Sequence, residues 1–180
     1  PSRIEFENGH VISYLYDADG IKLRTTHIIG SDTTVTDYCG NVIYENGIPV
    51  KLLTEAGYVT LADSKYHYFV QDHLGNNRVV VDQSGNVEEV NHYYPFGGLL
   101  SSSVSNAVQP YKYNGKELDR KNGLDWYDYG ARMYDAALGR WHAVDPMSEK
   151  YYSISSYVYG LNTPHNCIDP DGQKIIFVNG

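Results

Sequence analysis

One four-residue pattern, Asp-x-x-Gly, recurs along the chain at Asp17–Gly20, Asp37–Gly40, Asp72–Gly75, Asp82–Gly85 and Asp169–Gly172. Each copy asks the backbone to reverse. Asp at the first turn position caps backbone amides with its carboxylate, and Gly at the fourth takes the positive φ that a type I turn with a following bulge requires. Alternating apolar and polar residues flank the turns, as in Tyr14-Leu-Tyr16, Ile21-Lys-Leu23, Asn41-Val-Ile-Tyr44 and Asn76-Asn-Arg-Val-Val-Val81. The same turn set between Tyr- and Val-rich strands predicts antiparallel hairpins. The first four Asp positions are 20, 35 and 10 residues apart, so the repeats are degenerate rather than a strict solenoid.

Composition agrees. A chain of 180 residues with 20% charged and 42% hydrophobic side chains can bury a real core. Tyrosine dominates the aromatics, with 18 residues against four Phe and two Trp. An amphipathic ring with a wet hydroxyl suits a half-buried pleated surface. The net charge of −8 argues against a nucleic-acid partner. The basic cluster Lys112 to Lys121 is interleaved with Glu117 and Asp119 and reads as a solvated loop. Cys39 and Cys167 are too few and too far apart for a disulfide framework or a metal knuckle, and read as buried small residues. No apolar run approaches the roughly 18 residues of a membrane span. A start at Pro1 without Met or signal peptide reads as a mature piece or a fragment.

Further along, Pro95 and the Gly97-Gly98 pair end the first series of strands. The serine-rich stretch Leu99–Gln109, with Ser101 to Ser103 and Ser105, reads as a mobile surface loop. Leu124–Tyr129 and Ala131–Tyr134 read as one long strand bulged at Gly130, with Arg140-Trp141 opening its partner. One short helix is expected near residues 153–160, capped by Ser153 and stopped by Gly160 and Pro164. The expected fold is therefore all-β, mostly antiparallel hairpins in an open, curled sheet, with that single helix.

Two Asp-Pro pairs, Asp145-Pro146 and Asp169-Pro170, stand 24 residues apart. Asp-Pro opens a type I turn without any chemistry. Two carboxyls held close also make an acid–base pair, because they cannot both ionise freely. Asp169 belongs to the turn series; Asp145 stands outside it. Asp171 is an alternative second carboxylate, and Arg140 is a candidate to orient one of them, or else to pair across a hairpin with Asp135 or Asp128. The Asp-x-Asp-Gly strings at Asp17 and Asp169 lack the further oxygen ligands of a calcium loop. His73 and His142 read as packing or surface residues. No nucleophile elbow, phosphate loop or dinucleotide fingerprint is present, and no cofactor is called for. Tyr rows read as cross-strand ladders, with stacking on sugars as the other use.

Seven motifs then occur in a fixed order: Tyr68-Phe-Val-Gln-Asp-His-Leu-Gly-Asn-Asn-Arg78, Tyr93-Tyr-Pro-Phe-Gly97, Tyr113-Asn-Gly-Lys-Glu117, Tyr129-Gly-Ala-Arg-Met-Tyr-Asp135, Gly139-Arg-Trp141, Asp145-Pro146 and Asp169-Pro-Asp-Gly172. This ordered set resembles the RHS repeat-associated core domain of bacterial RHS/YD-repeat proteins over roughly residues 66–172, and the upstream hairpins resemble YD repeats. The resemblance implies a hollow β-shell, closed by the core domain, that holds a variable C-terminal effector. In many members the core domain is an intramolecular aspartyl protease that cuts just after Asp-Pro-x-Gly. Carried over by motif, Asp145 and Asp169 are the carboxylate pair and the cut falls at Gly172–Gln173 or one residue on. Many members have an apolar residue where this chain has Gln173.

The implied organisation is YD-type hairpins over 1–65, core domain over 66–172 and the start of the variable segment over 173–180. The implied partners are the chain's own C-terminal segment and the remaining shell repeats, with self-association through open sheet edges. The implied setting is the outside or surface of a bacterium. The alternative is a non-catalytic display or carbohydrate-binding module whose Asp-Pro motifs are only turns.

Overall fold

A computed structural model describes residues 1–103 and 109–178. The chain divides into two compact units, Pro1–Tyr68 with Val81–Asn86, and Phe69–Val80 with Val87–Gly180.

In the first unit the chain forms an antiparallel meander. Its strands are β1 (Arg3–Glu5), β2 (Val11–Tyr16), β3 (Lys22–Ile29), β4 (Asp32–Cys39), β5 (Val42–Glu45), β6 (Ile48–Thr54), β7 (Gly57–Thr60) and β8 (Lys65–Gln71), whose last residues lie in the second unit. Each pairs with the next. Period-two alternation sets the buried face: Ile12 and Tyr14 of β2 are buried, as are Thr25 and His27 of β3.

The turns follow the physics of the repeated pattern. At Asp17 the carboxylate accepts the amides of Asp19 and Ile21 at 2.9 and 2.8 Å, and Gly20 N–H returns to the Asp17 carbonyl. At Asp82 it accepts Ser84 and Asn86 at 2.8 and 2.9 Å, and Gly85 N–H returns to the Asp82 carbonyl. Asp37–Gly40 departs from this. Asp37 sits inside β4, directly opposite Arg24 of β3, and the two side chains pair at 2.5 Å. A cross-strand cation has claimed the carboxylate, and the reversal is made by Gly40 and Asn41 alone. Cys39, expected to be buried, is exposed at the end of β4.

The second unit carries most of β9 (Asn77–Asp82) and all of β10 (Val87–Val90). A four-stranded antiparallel sheet follows: β11 (Glu117–Asp119), β12 (Trp126–Asp128), β13 (Met133–Asp135) and β14 (Arg140–Trp141). A final pair, β15 (Cys167–Ile168) and β16 (Ile176–Phe177), completes the unit. The segment expected to be one bulged strand is instead the β12–β13 hairpin. Tyr127 lies opposite Tyr134, and Gly130, at φ +92°, sits in the turn where Asp128 accepts its amide at 2.8 Å. The expected helix near 153–160 is a run of turns followed by a single 3-10 turn at Gly160–Asn162, and no α-helix occurs among the described residues. Val158 bridges to Arg140 in β geometry, and Leu161 and Asn162 take positive φ, so the segment cannot propagate helical bonds.

The core of this unit is a cluster of tyrosines. Tyr113, Tyr127, Tyr129, Tyr134, Trp141 and Tyr159 are buried together with Leu118. Their hydroxyls are satisfied internally. Tyr113, Tyr134 and Tyr127 donate to the carbonyls of Pro95, Phe96 and Gly97 at 3.0, 2.8 and 2.9 Å. Tyr129 and Tyr159 both donate to Asn114 Oδ1 at 2.6 Å. These rings are taken up by one another and are not offered to sugars, while Tyr66 and Tyr68 stay exposed and stacked in the first unit. Lys112, expected in a solvated loop, is buried and donates to Glu89 at 2.6 Å. Gln109 is buried beside it, donating to the same carboxylate at 2.8 Å, and Ser103 bonds to the backbone of His92. The ends of the expected mobile loop are thus tied down; Ser105 lies outside the described residues.

Two outcomes follow for the first unit. Gly57 takes φ +153°, and a Cβ there would stand 2.0 Å from the His67 carbonyl oxygen and 2.9 Å from its carbon, all main chain. Gly57→Ala should therefore lower stability by at least about 2 kcal/mol in urea melts, because the obstruction is main chain and cannot swing aside. Asp82 is held down to about 2 by hydrogen bonds from the Asn86 side chain and amide. A depressed carboxylate adds stability above its unfolded value of roughly 4 and loses it as pH falls. The urea midpoint of the native chain should accordingly converge on that of Asp82→Asn between about pH 4 and pH 2.

Candidate active site

The Asp169–Gly172 turn is built differently from its relatives. At Asp72 and Asp82 one carboxylate oxygen caps two amides, and the other takes the side-chain amide of the Asn four residues on, Asn76 at 2.9 Å and Asn86 at 3.0 Å. Four residues after Asp169 stands Gln173. Asp169 Oδ1 accepts the amides of Gly172, Gln173 and Lys174 at 2.7, 3.0 and 3.1 Å, and of Asp171 at 3.4 Å. Its Oδ2 turns instead to Arg132 Nη2 at 3.2 Å.

Arg132 lies in the β12–β13 turn, which closes when Tyr129 N–H donates to the Arg132 carbonyl at 3.2 Å. Its guanidinium is buried and lies over the Trp141 ring at 4.2 Å. Every edge is used. Nη2 also donates to Asp145 Oδ2 at 3.0 Å, Nη1 to the Ser156 carbonyl at 3.0 Å, and Nε to the Gly172 carbonyl at 2.5 Å. Asp145 keeps its turn role as well: Oδ1 accepts the Met147 amide at 2.7 Å, and its own N–H donates to Ser156. One nitrogen thus gathers two carboxylates, and the same cation grips the carbonyl of Gly172.

Two neighbours hold the turn in place. Lys116 Nζ donates to the Pro170 carbonyl at 2.6 Å, and Ala131 N–H donates to the Asp171 carbonyl at 3.2 Å. The approach is close, since a Cβ on Gly172 would stand 3.0 Å from the Arg132 backbone nitrogen. Burial raises the pKa of Asp169; the amides of Lys174, Gly172 and Gln173 and the charge of Arg132 pull it back, and the net shift is upward. Burial likewise lowers Arg132 and Lys116 against the pull of the neighbouring carboxylates.

Of the residues singled out from the sequence, Asp145, Asp169 and Gly172 meet at Arg132. Gln173 donates its amide to Asp169 and also to Asp171 Oδ1 at 3.1 Å. Asp171 turns its other oxygen to Lys174 Nζ at 3.2 Å. Arg140 is exposed, opposite Asp135 in the β13–β14 register, and lines a separate cleft of about 730 Å³ with Phe96 and Leu138. Arg132 is the site residue that does not stand among the candidates legible in the sequence. Its one sequence signal was its place in Tyr129-Gly-Ala-Arg132-Met-Tyr134, a lone charge among aromatic and small residues.

A family model described as Teneurin YD-shell matches residues 51–164. The chain belongs to this YD-shell family. It is 32% identical over 197 aligned residues to salivary gland surface protein 1 of Aedes aegypti, covering 96% of this chain and 6% of that protein. It is 29% identical to toxin subunit YenC1 of Yersinia entomophaga, over 76% of this chain and 15% of the relative. It is 28% identical to the tRNA3(Ser)-specific nuclease WapA of Bacillus spizizenii, over 95% and 7%. The YD-shell fold is matched by the crystal structure of TcdB2-TccC3-TEV, with TM-score 0.77 and 19% identity over 95% of this chain and 10% of the other. The Photorhabdus luminescens Tc holotoxin pore gives TM-score 0.76 and 20% identity over 99% and 10%. The chain therefore spans a small fraction of each relative. The ordered motifs and the all-β fold with open antiparallel sheets agree with this family.

Removing the cation leaves two acids without their partner in a dry site. Arg132→Met should destabilise the second unit by about 3–5 kcal/mol at neutral pH. The deficit should shrink as pH is lowered, because Asp169, whose pKa burial raises, can then be buried as a neutral acid. Urea denaturation of both chains across the acid range measures this.

Proposed function

We propose that this YD-shell module forms part of a wall around a C-terminal effector and cuts its own backbone once, between Gly172 and Gln173. The observation that carries the proposal is the triple grip of Arg132 on Asp145, Asp169 and the Gly172 carbonyl. A peptide bond needs three kinds of help to hydrolyse, and each has a residue here. Arg132 Nε stands where negative charge would develop on the carbonyl oxygen. Gln173 N–H donates to Asp169 Oδ1 at 3.0 Å, which sets this carboxyl beside the nitrogen that must gain a proton as the amine leaves, and burial raises its pKa toward the acid form that role needs. Asp145, held on the same guanidinium, activates the water. The bond is intramolecular, so no binding step is required, and burial of all three side chains strengthens each interaction. No cofactor enters the scheme.

The wider role rests on the relatives. Toxin subunits and a surface protein share the fold region, which supports a secreted or surface setting and a cargo held by the rest of a longer shell. A chain this short relative to them would contribute one stretch of that wall.

The test separates chemistry from turn capping. Asn keeps an acceptor oxygen at Oδ1, so Asp145→Asn and Asp169→Asn should retain the amide caps and lose the proton chemistry, with a lower thermal transition because each takes one counter-charge from Arg132. With a C-terminal tag on a chain that includes the remaining shell repeats, intact mass should show a fragment beginning at Gln173 in the native chain and none in either variant. The cleavage rate should fall as pH rises through the raised pKa of Asp169, because the acid form is then lost. Release by both Asn variants at the native rate would reduce the two aspartates to turn caps and the module to a non-catalytic wall.

A further inference from the structure

A second buried charge cluster in this unit takes no part in the cleavage scheme. Glu89 on β10 and Lys112 are each 3% exposed, and Lys112 Nζ donates to Glu89 Oε1 at 2.6 Å. Two side-chain amides converge on the same oxygen. Gln109 Nε2 donates to it at 2.8 Å, and Asn91 Nδ2 donates to it more closely still. Asn91 is 0% exposed and Gln109 2%. Their amide oxygens, Asn91 Oδ1 and Gln109 Oε1, are buried and have no donor among the described residues. A buried acceptor without a donor is costly and asks for a cause.

The start of β9 sets an amine and an amide side by side. Asn91 N–H donates to the Arg78 carbonyl at 2.8 Å, and Asn91 Nδ2 donates to the Asn77 carbonyl at 3.0 Å as well as to Glu89. Asn77 also holds the segment that carries the lysine. Its N–H donates to the Lys112 carbonyl at 3.1 Å, and its Nδ2 to the Tyr111 carbonyl at 2.8 Å. Lys112 Nζ and Asn91 Nδ2 thus meet on one carboxylate oxygen, at most two hydrogen-bond lengths apart. Groups held in this way react without an encounter step.

We propose that Lys112 condenses with Asn91 into a side-chain amide cross-link, with Glu89 carrying the protons. This is independent of the cleavage proposed above. Lys112 gives one proton to Glu89 along their contact, and the neutral amine attacks Asn91 Cγ. The Nζ–Cγ bond forms and the Cγ–Nδ2 bond breaks. A second proton passes from Nζ through Glu89 to the leaving nitrogen, which departs as ammonia. Glu89 is left as a neutral acid. Nothing is oxidised or reduced, and no co-reactant is needed. The product removes an ion pair from a dry interior, and the acid hydrogen of Glu89 becomes a donor for the Asn91 oxygen that lacked one. Asn91 is the partner rather than Gln109 because its amide is held at two points, on Glu89 and on the Asn77 carbonyl. The bond would close a loop between residues 112 − 91 = 21 positions apart, and that loop carries the carbonyls of Pro95, Phe96 and Gly97 on which the tyrosine core is anchored.

The test is a digest of the native chain with its shell repeats, read by mass spectrometry. No Lys or Arg lies between Arg78 and Lys112, so trypsin frees a peptide of residues 79–112 from an unlinked chain. A linked chain cannot be cut after Lys112, and most of it should appear as a peptide of residues 79–116, lighter by one ammonia. Chymotrypsin, cutting after Tyr93, Phe96 or Leu99, should then leave two peptides still joined through Asn91 and Lys112. That join separates the cross-link from ammonia lost by an asparagine elsewhere. Lys112→Arg keeps a cation on Glu89 but cannot condense, so it should be cut at position 112 and carry its full mass. Glu89→Gln should keep its full mass too, for want of a proton carrier. A native chain cut completely after Lys112 overturns the proposal whatever the variants do. A join to Gln109 in place of Asn91 overturns the choice of partner, and a Glu89→Gln chain linked to the native extent overturns the role of Glu89.

Discussion

The second unit depends on one buried guanidinium. Arg132 binds groups 13, 24, 37 and 40 residues ahead of it in the chain. No local rule of strand or turn would bring those segments together. A buried cation is costly to desolvate, and its cost is offset here only because every nitrogen has a partner and Trp141 covers one face. The two carboxylates need the cation as much as it needs them. The site is therefore all-or-none: it assembles with its charges matched, or the turns around it are left with unpaired charge in a dry interior.

The tyrosine cluster supplies the frame for that cation. Tyr129 and Tyr134 flank the turn that carries Arg132, and their hydroxyls anchor to Asn114 and to the Phe96 carbonyl. Phenylalanine would fill the same volume yet leave the carbonyls of Pro95, Phe96 and Gly97 without these donors. Burial pushes the hydroxyls to bind protons more tightly, Tyr159 up to about 12, so they serve as fixed donors over the whole physiological range. Each ring adds apolar area and a directional bond together, which is how a buried cluster with Leu118 as its one aliphatic member fixes a unique packing.

Much of this was legible in the residues. Alternation and Asp-x-x-Gly turns gave the meander, and the two Asp-Pro pairs marked the acids that meet. The misses share a cause. Period-two patterning is the same for one continuous strand as for two strands joined by a tight turn, so Gly130 passed for a bulge. Charge partners are set by register and by contacts between distant segments, so the Asp37 turn pattern does not show that Arg24 lies opposite it, and nearness in sequence to Asp145 points to Arg140 although Arg132 makes the contact. Lys112 looked solvated because its partner Glu89 lies 23 residues upstream, on β10. Residues 153–160 offered a cap and a stop but no apolar stripe at helical spacing, and the bridge from Val158 to Arg140 prevailed.

The contrast between turns at Asp72, Asp82 and Asp169 bears on how a repeat protein can join one of its turns to a distant hairpin. In the first two, an Asn side chain four residues on takes the second carboxylate oxygen, and a cation stands farther off, Arg78 at 4.0 Å from Asp72 and Lys65 at 3.4 Å from Asp82. At Asp169 that position is Gln173 and the oxygen is open to a cation from another hairpin. A fold made of duplicated turns thus carries many carboxylates already caged by amides, and the residue four places on helps to set what else each can bind. Tying two hairpins together in such an architecture needs no new loop, only a turn oxygen left for a buried arginine to take.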